Sequence, residues 1–141
     1  MFEKQIMVVE ADEFDRSFLH LSPDIAIVTS TDADHLDIYG EPDEVKRSFQ
    51  EFVDRIKSGG LAVINDLLDL NTEQQLVTYG KTAEAGARYS DVKINNHQFC
   101  FNYRHKDYAI EVRNALPGFH NVENATAAIT VCLHLSLPVK F

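Results

Sequence analysis

A dense group of acidic and imidazole side chains lies in the segment TSTDADHLDIYG, residues 29–40. It contains Asp32, Asp34, His35 and Asp37, and the apolar run IAIV precedes it. Carboxylates are hard oxygen ligands of the kind that Mg²⁺ prefers. An imidazole can complete such a site if phosphate and water supply the remaining ligands. The pattern fits a solvated surface loop equally well, so both interpretations stay open.

A second acidic group follows another apolar run, IMVV at 6–9, and contains Glu10, Asp12 and Glu13. In a parallel α/β sheet, ligands bind at the carboxyl ends of the strands. Glu10 and His35 would therefore converge on one point if the two apolar runs form neighbouring strands.

The segment GFHNVEN, residues 118–124, stands at the start of a predicted helix. His120 and Asn121 belong to its first turn, and Asn124 lies one turn along the same face. Two amides and an imidazole could exchange hydrogen bonds with a ligand such as an adenine edge. Asparagine at a helix start is also a common N-cap, so the pattern alone leaves both roles open.

One apparent phosphate loop is excluded by its spacing. Gly80, Lys81 and Thr82 follow the strand-like stretch LVTYG, as the end of such a loop would. The full motif needs a glycine five positions before the second one, and Gln75 stands there.

The elements around these residues predict an α/β fold with a mostly parallel sheet flanked by helices. Three uninterrupted apolar runs are typical of strands buried on both faces, at 6–9, 25–28 and 61–64. Apolar residues recur at helical spacing from Val45 to Ile56, which predicts a βαβ unit. We expect a shorter helix near 71–77.

The pattern changes near residue 87, where apolar and polar residues begin to alternate. This predicts a small antiparallel β-subsheet of hairpins over about 87–116. A helical stripe then predicts a returning helix over about 117–136. The 141 residues are interpreted as one partial domain whose parallel part covers about 1–86.

Composition narrows the classes of function. The chain carries a net charge of −9, and 45% of its residues are hydrophobic. An acidic globular protein of this kind lacks the basic face expected of a nucleic-acid or anionic-membrane surface. No apolar run approaches the length that spans a bilayer.

Together the motifs resemble the Mur ligase family. Two stretches carry the resemblance, VVEADEFDRSFLHLSPDIAIVTSTDADHLDIYG at 8–40 and LPGFHNVENATAAI at 116–129. The resemblance implies that the chain is the later part of a P-loop-like central ATP-binding domain. The family's phosphate loop, its UDP-binding domain and its C-terminal domain would then lie outside these residues.

The resemblance implies ATP-dependent amide-bond formation through an acyl phosphate, in bacterial cytoplasmic peptidoglycan biosynthesis. The substrates in the full enzyme would be UDP-N-acetylmuramic acid and L-alanine, because DADHLDIYG favours the alanine-adding type. Glu10 matches a family glutamate at the Mg²⁺ that bridges the ATP phosphates, and His35 matches the histidine at a second Mg²⁺.

The remaining matches concern ATP. His120, Asn121 and Asn124 occupy family ATP-binding positions by the adenosine. Asp34 and Asp37 are expected to orient His35 or metal-bound water.

We expect the isolated chain to be inactive, and exposed sheet edges could pair two copies as a homodimer. The alternatives are another Mur ligase, such as the one that recycles a muramyl tripeptide, a metal-dependent phosphohydrolase, or a non-catalytic interaction module.

Overall fold

The computed structural model describes residues 5–32 and 42–138. A 3-10 helix at Phe14–His20 precedes strand β1, Ile25–Val28, and helix α1 follows at Pro42–Asp54. The next five elements are strands: β2 Leu61–Asn65, β3 Gln75–Gly80, β4 Ala87–Asn95, β5 Gln98–His105 and β6 Tyr108–Asn114. Helix α2, Phe119–His134, completes the fold.

The six strands form one sheet in the order β1-β2-β3-β4-β5-β6. Strands β1 to β3 are parallel, and β4 to β6 are antiparallel. The two parts join where β4 begins beside the end of β3, through the parallel pairs Tyr79–Ala87 and Gly80–Arg88. The predicted α/β fold class is confirmed, with the antiparallel hairpins continuing the parallel sheet rather than standing apart from it.

Strand β2 is buried on both faces. Leu61 and Val63 point into the core beneath α2, while Ala62 and Ile64 point into a second core beneath α1. This explains the uninterrupted apolar run, because a strand covered on both sides has no solvated face to make polar.

Helix α1 and the 3-10 helix close the second core. Val45, Phe52 and Val53 of α1 are buried, as the helical spacing predicted. Phe18 of the 3-10 helix is also buried, and its ring lies 5.3 Å from Phe49 and 5.2 Å from Phe52.

Tight turns connect the antiparallel strands, as predicted. Asn96 and His97 have positive φ angles of 47° and 63° between β4 and β5, a combination that two-residue hairpin loops require. Buried residues of β5 alternate with half-buried or exposed ones, and the buried ones are Phe99, Phe101, Tyr103 and His105. The hairpin prediction is confirmed.

Helix α2 packs against this part of the sheet, and its prediction is also confirmed. Val122 and Ile129 of the predicted stripe are buried. Thr126 and Thr130 are buried too, because their hydroxyls donate to the carbonyls of Val122 and Thr126 over 2.8 Å. In the part of the chain that is described, no helix is long and apolar enough to cross a membrane.

Two element predictions are wrong. The run at 6–9 forms no strand, and Met7 and Val8 are 87% and 91% exposed. No strand within 5–32 and 42–138 pairs with this run, and apolar residues need a ladder partner to form a strand. Residues 71–77 form no helix, since Gln75 already pairs with Leu61 as the first residue of β3.

Candidate functional site

The start of α2 lies on the side of the sheet toward which the parallel strands run. Strand β6 is antiparallel to β5, which is antiparallel to β4, so β6 points the same way as β1 to β3. The chain leaves β6 at Asn114 and enters α2 at Phe119. The first turn of α2 therefore lies at the carboxyl side of the sheet, where α/β folds bind their ligands.

A glycine opens this helix. Gly118 is the N-cap residue, with φ 103° and ψ 144°, a conformation that side chains rarely tolerate. A Cβ atom on Gly118 would stand 2.5 Å from the His120 ring. Glycine here permits both the backbone turn and the close approach of the imidazole.

Asn121 holds the first turn together without capping it. Its side-chain Nδ2 donates to the Pro117 carbonyl over 2.7 Å and lies 3.1 Å from His120 Nε2. If Nδ2 also donates to His120 Nε2, the imidazole carries its proton on Nδ1. Asn114, at the end of β6, donates to the Asn121 carbonyl over 3.0 Å. Capping therefore does not explain these residues, because the cap is Gly118.

The outer surface of this turn is open. His120 and Asn124 are exposed, and Asn124 forms no side-chain hydrogen bond with the residues that the structure describes. The structure thus brings His120 and Asn121 into contact and leaves the Asn124 amide available to a ligand.

A half-buried hydrogen-bonded pair, Tyr89 and Glu123, lies behind the first turn of α2, and the sequence patterns did not predict it. Tyr89 Oη donates to Glu123 Oε1 over 3.0 Å. Burial, and then this hydrogen bond, raise the pKa of Tyr89 above its usual range. Glu123 belongs to the GFHNVEN segment, but no local pattern shows which strand residue faces it.

Tyr79 lies close to the same group. Its hydroxyl is buried and has no hydrogen-bond partner among the described residues. Burial raises the pKa of Tyr79 to about 12. The Asn65 side chain acts in the opposite direction and lowers this pKa in part.

The Gly80-Lys81-Thr82 stretch has a structural role. The Thr82 backbone N–H and hydroxyl both donate to Asp66 Oδ2, over 3.0 and 2.6 Å. These donors are already used within the chain, in agreement with the exclusion of a phosphate loop from the spacing.

The acidic segments are described only in part. Glu10 is exposed, and it forms no hydrogen bond or ion pair with a described residue. Asp32 is exposed, and its backbone N–H donates to Ser30 Oγ over 2.9 Å. Asp34, His35 and Asp37 lie outside the described residues. Over 5–32 and 42–138, no three His, Cys, Asp or Glu side chains are grouped to hold a metal ion, so the convergence of Glu10 with His35 stays a prediction.

Residues 2–132 match the model of the Mur ligase middle domain. The chain belongs to the Mur ligase family. Curated relatives include UDP-N-acetylmuramate--L-alanine ligases from Geobacter sp. strain M21, with 42% identity over 96% of this chain, and from Myxococcus xanthus, with 38% identity over 98% of it. The chain spans about 31% of the length of these relatives.

Solved Mur ligase structures share the fold. A MurF ligase from Thermotoga maritima, crystallised in complex with ADP, superposes with a TM-score of 0.73 at 19% identity over 84% of this chain and 29% of its own. MurF from Acinetobacter baumannii gives a TM-score of 0.71 at 22% identity, over 84% of this chain and 27% of its own. The described architecture is therefore that of a Mur ligase central domain.

Proposed function

We propose that this chain is the nucleotide-binding and metal-binding part of a cytoplasmic bacterial ligase that joins L-alanine to UDP-N-acetylmuramic acid in peptidoglycan biosynthesis. The observation that carries the proposal is the identity of about 40% with L-alanine ligases across nearly the whole chain. In the full enzyme, ATP would phosphorylate the substrate carboxylate, the alanine amine would attack the acyl phosphate, and inorganic phosphate would leave.

The nucleotide would bind at the first turn of α2. His120 and Asn124 present exposed polar groups there, and Asn121 fixes the imidazole. The ADP complex of the Thermotoga maritima relative supports a nucleotide as the ligand.

Magnesium would bind through Glu10 and His35. The oxygen of Glu10 is exposed and of the hard type that Mg²⁺ prefers, and Mg²⁺ needs only one or two protein carboxylates when phosphate and water complete its shell. The donor chemistry therefore fits the ion. Bound Mg²⁺ would neutralise charge on the transferring phosphoryl group, and Asp34 and Asp37 would orient His35 or a metal-bound water.

We propose that the isolated chain has no ligase activity and at most weak nucleotide affinity, because it spans about 31% of its relatives' length. The test is a measurement of alanine-dependent phosphate release with UDP-N-acetylmuramic acid and Mg·ATP. No release is expected, and turnover by the purified chain would refute this proposal.

The phosphate-release assay and two further measurements separate the alternatives. A metal-dependent phosphohydrolase would release phosphate from Mg·ATP or Mn·ATP without alanine. Isothermal titration of the parent chain and His35→Ala with Mg·ATP would show weaker binding in the variant. Equal heats in both proteins would favour a non-catalytic interaction module. A full-length protein that joined the free tripeptide L-alanyl-γ-D-glutamyl-meso-diaminopimelate, in place of L-alanine, to UDP-N-acetylmuramic acid would indicate the recycling ligase instead.

We also propose that two copies can pair as a homodimer. Among the residues that the structure describes, strand β1 has a neighbour on one side only, and the apolar side chains of Ile6–Val9 are exposed. Unpaired strand edges are sites of association. Light scattering at rising concentration would show a growing mass, and a monomer throughout would contradict this.

A further inference from the structure

Two buried tyrosines link helix α2 to the antiparallel strands, one near each end of the helix. Tyr89 on β4 donates to Glu123 over 3.0 Å in the first turns. Tyr103 on β5 lies 3.0 Å from the Thr130 hydroxyl, about two turns later. Both contacts use a tyrosine hydroxyl, but one partner is a carboxylate and the other a hydroxyl, and the two lie at different distances from the GFHNVEN segment.

The first turn of α2 is held from two strands at once. Asn114 of β6 binds the Asn121 carbonyl, and Tyr89 of β4 binds the Glu123 carboxylate. Val122, between these two residues, is fully buried. Packing of Val122 fixes the depth of the turn, whereas the two directional hydrogen bonds fix its rotation about the helix axis.

We infer that Tyr89 and Glu123 are positioning residues that fix the rotation of the first turn of α2, and thereby the directions in which His120 and Asn124 face a nucleotide. This inference rests on the proposed nucleotide site. Tyr89 is 6% exposed and acts through Glu123 rather than by touching the ligand. A hydrogen bond to a charged carboxylate is also among the stronger ones in proteins.

The matched variants Tyr89→Phe and Tyr103→Phe test this in the 141-residue chain. Each removes one hydroxyl that binds α2, so both lower the melting temperature. In NMR titrations with ADP, Tyr89→Phe should weaken binding about tenfold, the lower end of the range that corresponds to one hydrogen bond to a charged group. Tyr103→Phe should leave the affinity unchanged. Equal effects of the two variants on affinity would overturn the inference.

Two changes at Glu123 distinguish positioning from direct contact. Glu123→Gln keeps an oxygen that Tyr89 can bind, so its ADP affinity should stay close to that of the parent. Glu123→Ala should lower affinity as much as Tyr89→Phe does. A far larger loss in Glu123→Ala would mean that the carboxylate touches the nucleotide itself, which contradicts a positioning role.

A readout without nucleotide keeps this inference separate from the proposed function. The Asn121 side-chain amide donates to Pro117, and its hydrogen exchange reports the geometry of the turn. Tyr89→Phe should speed this exchange and Tyr103→Phe should not. If the parent chain binds no ADP, the nucleotide proposal fails, while this exchange still decides the positioning inference. Unchanged exchange in Tyr89→Phe would overturn it.

Discussion

The parallel part, β1 to β3 with α1, and the antiparallel part, β4 to β6 with α2, position their candidate chemistry in different ways. In the antiparallel part, hydrogen bonds from β4, β6 and the preceding loop hold the first turn of α2. In the parallel part, Glu10 lies exposed in an irregular segment without a hydrogen bond to a described residue. The first turn of α2 is therefore held by contacts within the chain, whereas Glu10 receives no such support.

Strand β2 connects the two parts. Its alternate residues enter the two different cores, so neither core can lose its packing without exposing one face of β2. We expect the chain to unfold in one cooperative step, and each prediction below tests how far the two parts depend on each other.

The largest effect is expected from Phe18→Ala. Phe18 is 2% exposed and packs against the rings of Phe49 and Phe52. Truncation of such a ring should lower the free energy of unfolding by about 3–5 kcal/mol. Urea denaturation followed by circular dichroism would measure the loss. Leu67→Ala is the control, because Leu67 is 72% exposed and should change stability little.

The number of unfolding transitions in Phe18→Ala shows whether the two parts unfold together. A single shifted transition would confirm that β2 couples the two cores. Two separate transitions, with the antiparallel part melting at the parent midpoint, would show that the two parts are independent.

A smaller difference in stability is expected between two buried tyrosines, one in each part. Tyr79 on β3 has a hydroxyl without a hydrogen-bond partner among the described residues, while Tyr103 on β5 binds Thr130. Tyr79→Phe should leave stability at pH 7 unchanged or raise it by about 1 kcal/mol. Tyr103→Phe should lower it by about 0.5–1.5 kcal/mol, because it removes one hydrogen bond while the Thr130 hydroxyl still donates to the Thr126 carbonyl. Thermal denaturation measures both, and a destabilised Tyr79→Phe would contradict the assignment.

The pKa of Tyr79 also predicts sensitivity to alkali. Burial raises this pKa from 10.0 to about 12. Between these values the folded chain keeps a proton that the unfolded chain releases, so stability present below pH 10 is lost as the pH rises toward 12. The expected slope from Tyr79 is at most about 1.4 kcal/mol per pH unit. Tyr79→Phe should flatten it, and an unchanged slope would be evidence against this burial.

Two glycines with positive φ give a more local effect. Gly118→Ala and Gly59→Ala both place a side chain at positive φ, 103° and 81°, and each should cost about 1–3 kcal/mol. A Cβ at Gly59 meets open space, while one at Gly118 meets the His120 ring. Only Gly118→Ala should therefore shift the His120 ring signals in NMR spectra. Unchanged His120 signals in Gly118→Ala would contradict the close contact between residue 118 and the His120 ring.

The smallest effect is expected from Glu44→Gln. The Arg16 guanidinium lies 3.2 Å from Glu44, and both side chains are exposed. Such pairs contribute about 0.2–1 kcal/mol, so the 3-10 helix should stay docked through Phe18. A loss comparable with that of Phe18→Ala, measured in urea, would show that charge rather than packing holds this helix.

The sequence predicted those elements whose pattern has a local cause. The alternation around Phe99 and Phe101 and the helical stripe of α2 follow directly from which side faces the core. The prediction of a strand at 6–9 is wrong because an apolar run forms a strand only beside another strand with which it can pair. The prediction of a helix at 71–77 is wrong because the residues from Gln75 onward pair with β2 and are therefore extended.

The candidate site shows the same limit. His120, Asn121 and Asn124 were visible as a motif in the sequence, but the N-cap role of Gly118 and the partner of Glu123 were not. Tyr89 and Glu123 are 34 residues apart in the chain, and nothing local to either residue indicates the other. Contacts of this kind depend on the register of β4 and the rotation of α2.

The central claim is that the first turn of α2 receives the nucleotide, and an NMR titration of the isotope-labelled chain with ADP tests it most directly. Saturable chemical-shift changes should concentrate at residues 118–124 and weaken in Asn124→Ala. Saturable changes that spare these residues and appear instead on the solvated face of β4 and β5, around Arg88 and Arg104, would contradict the claim.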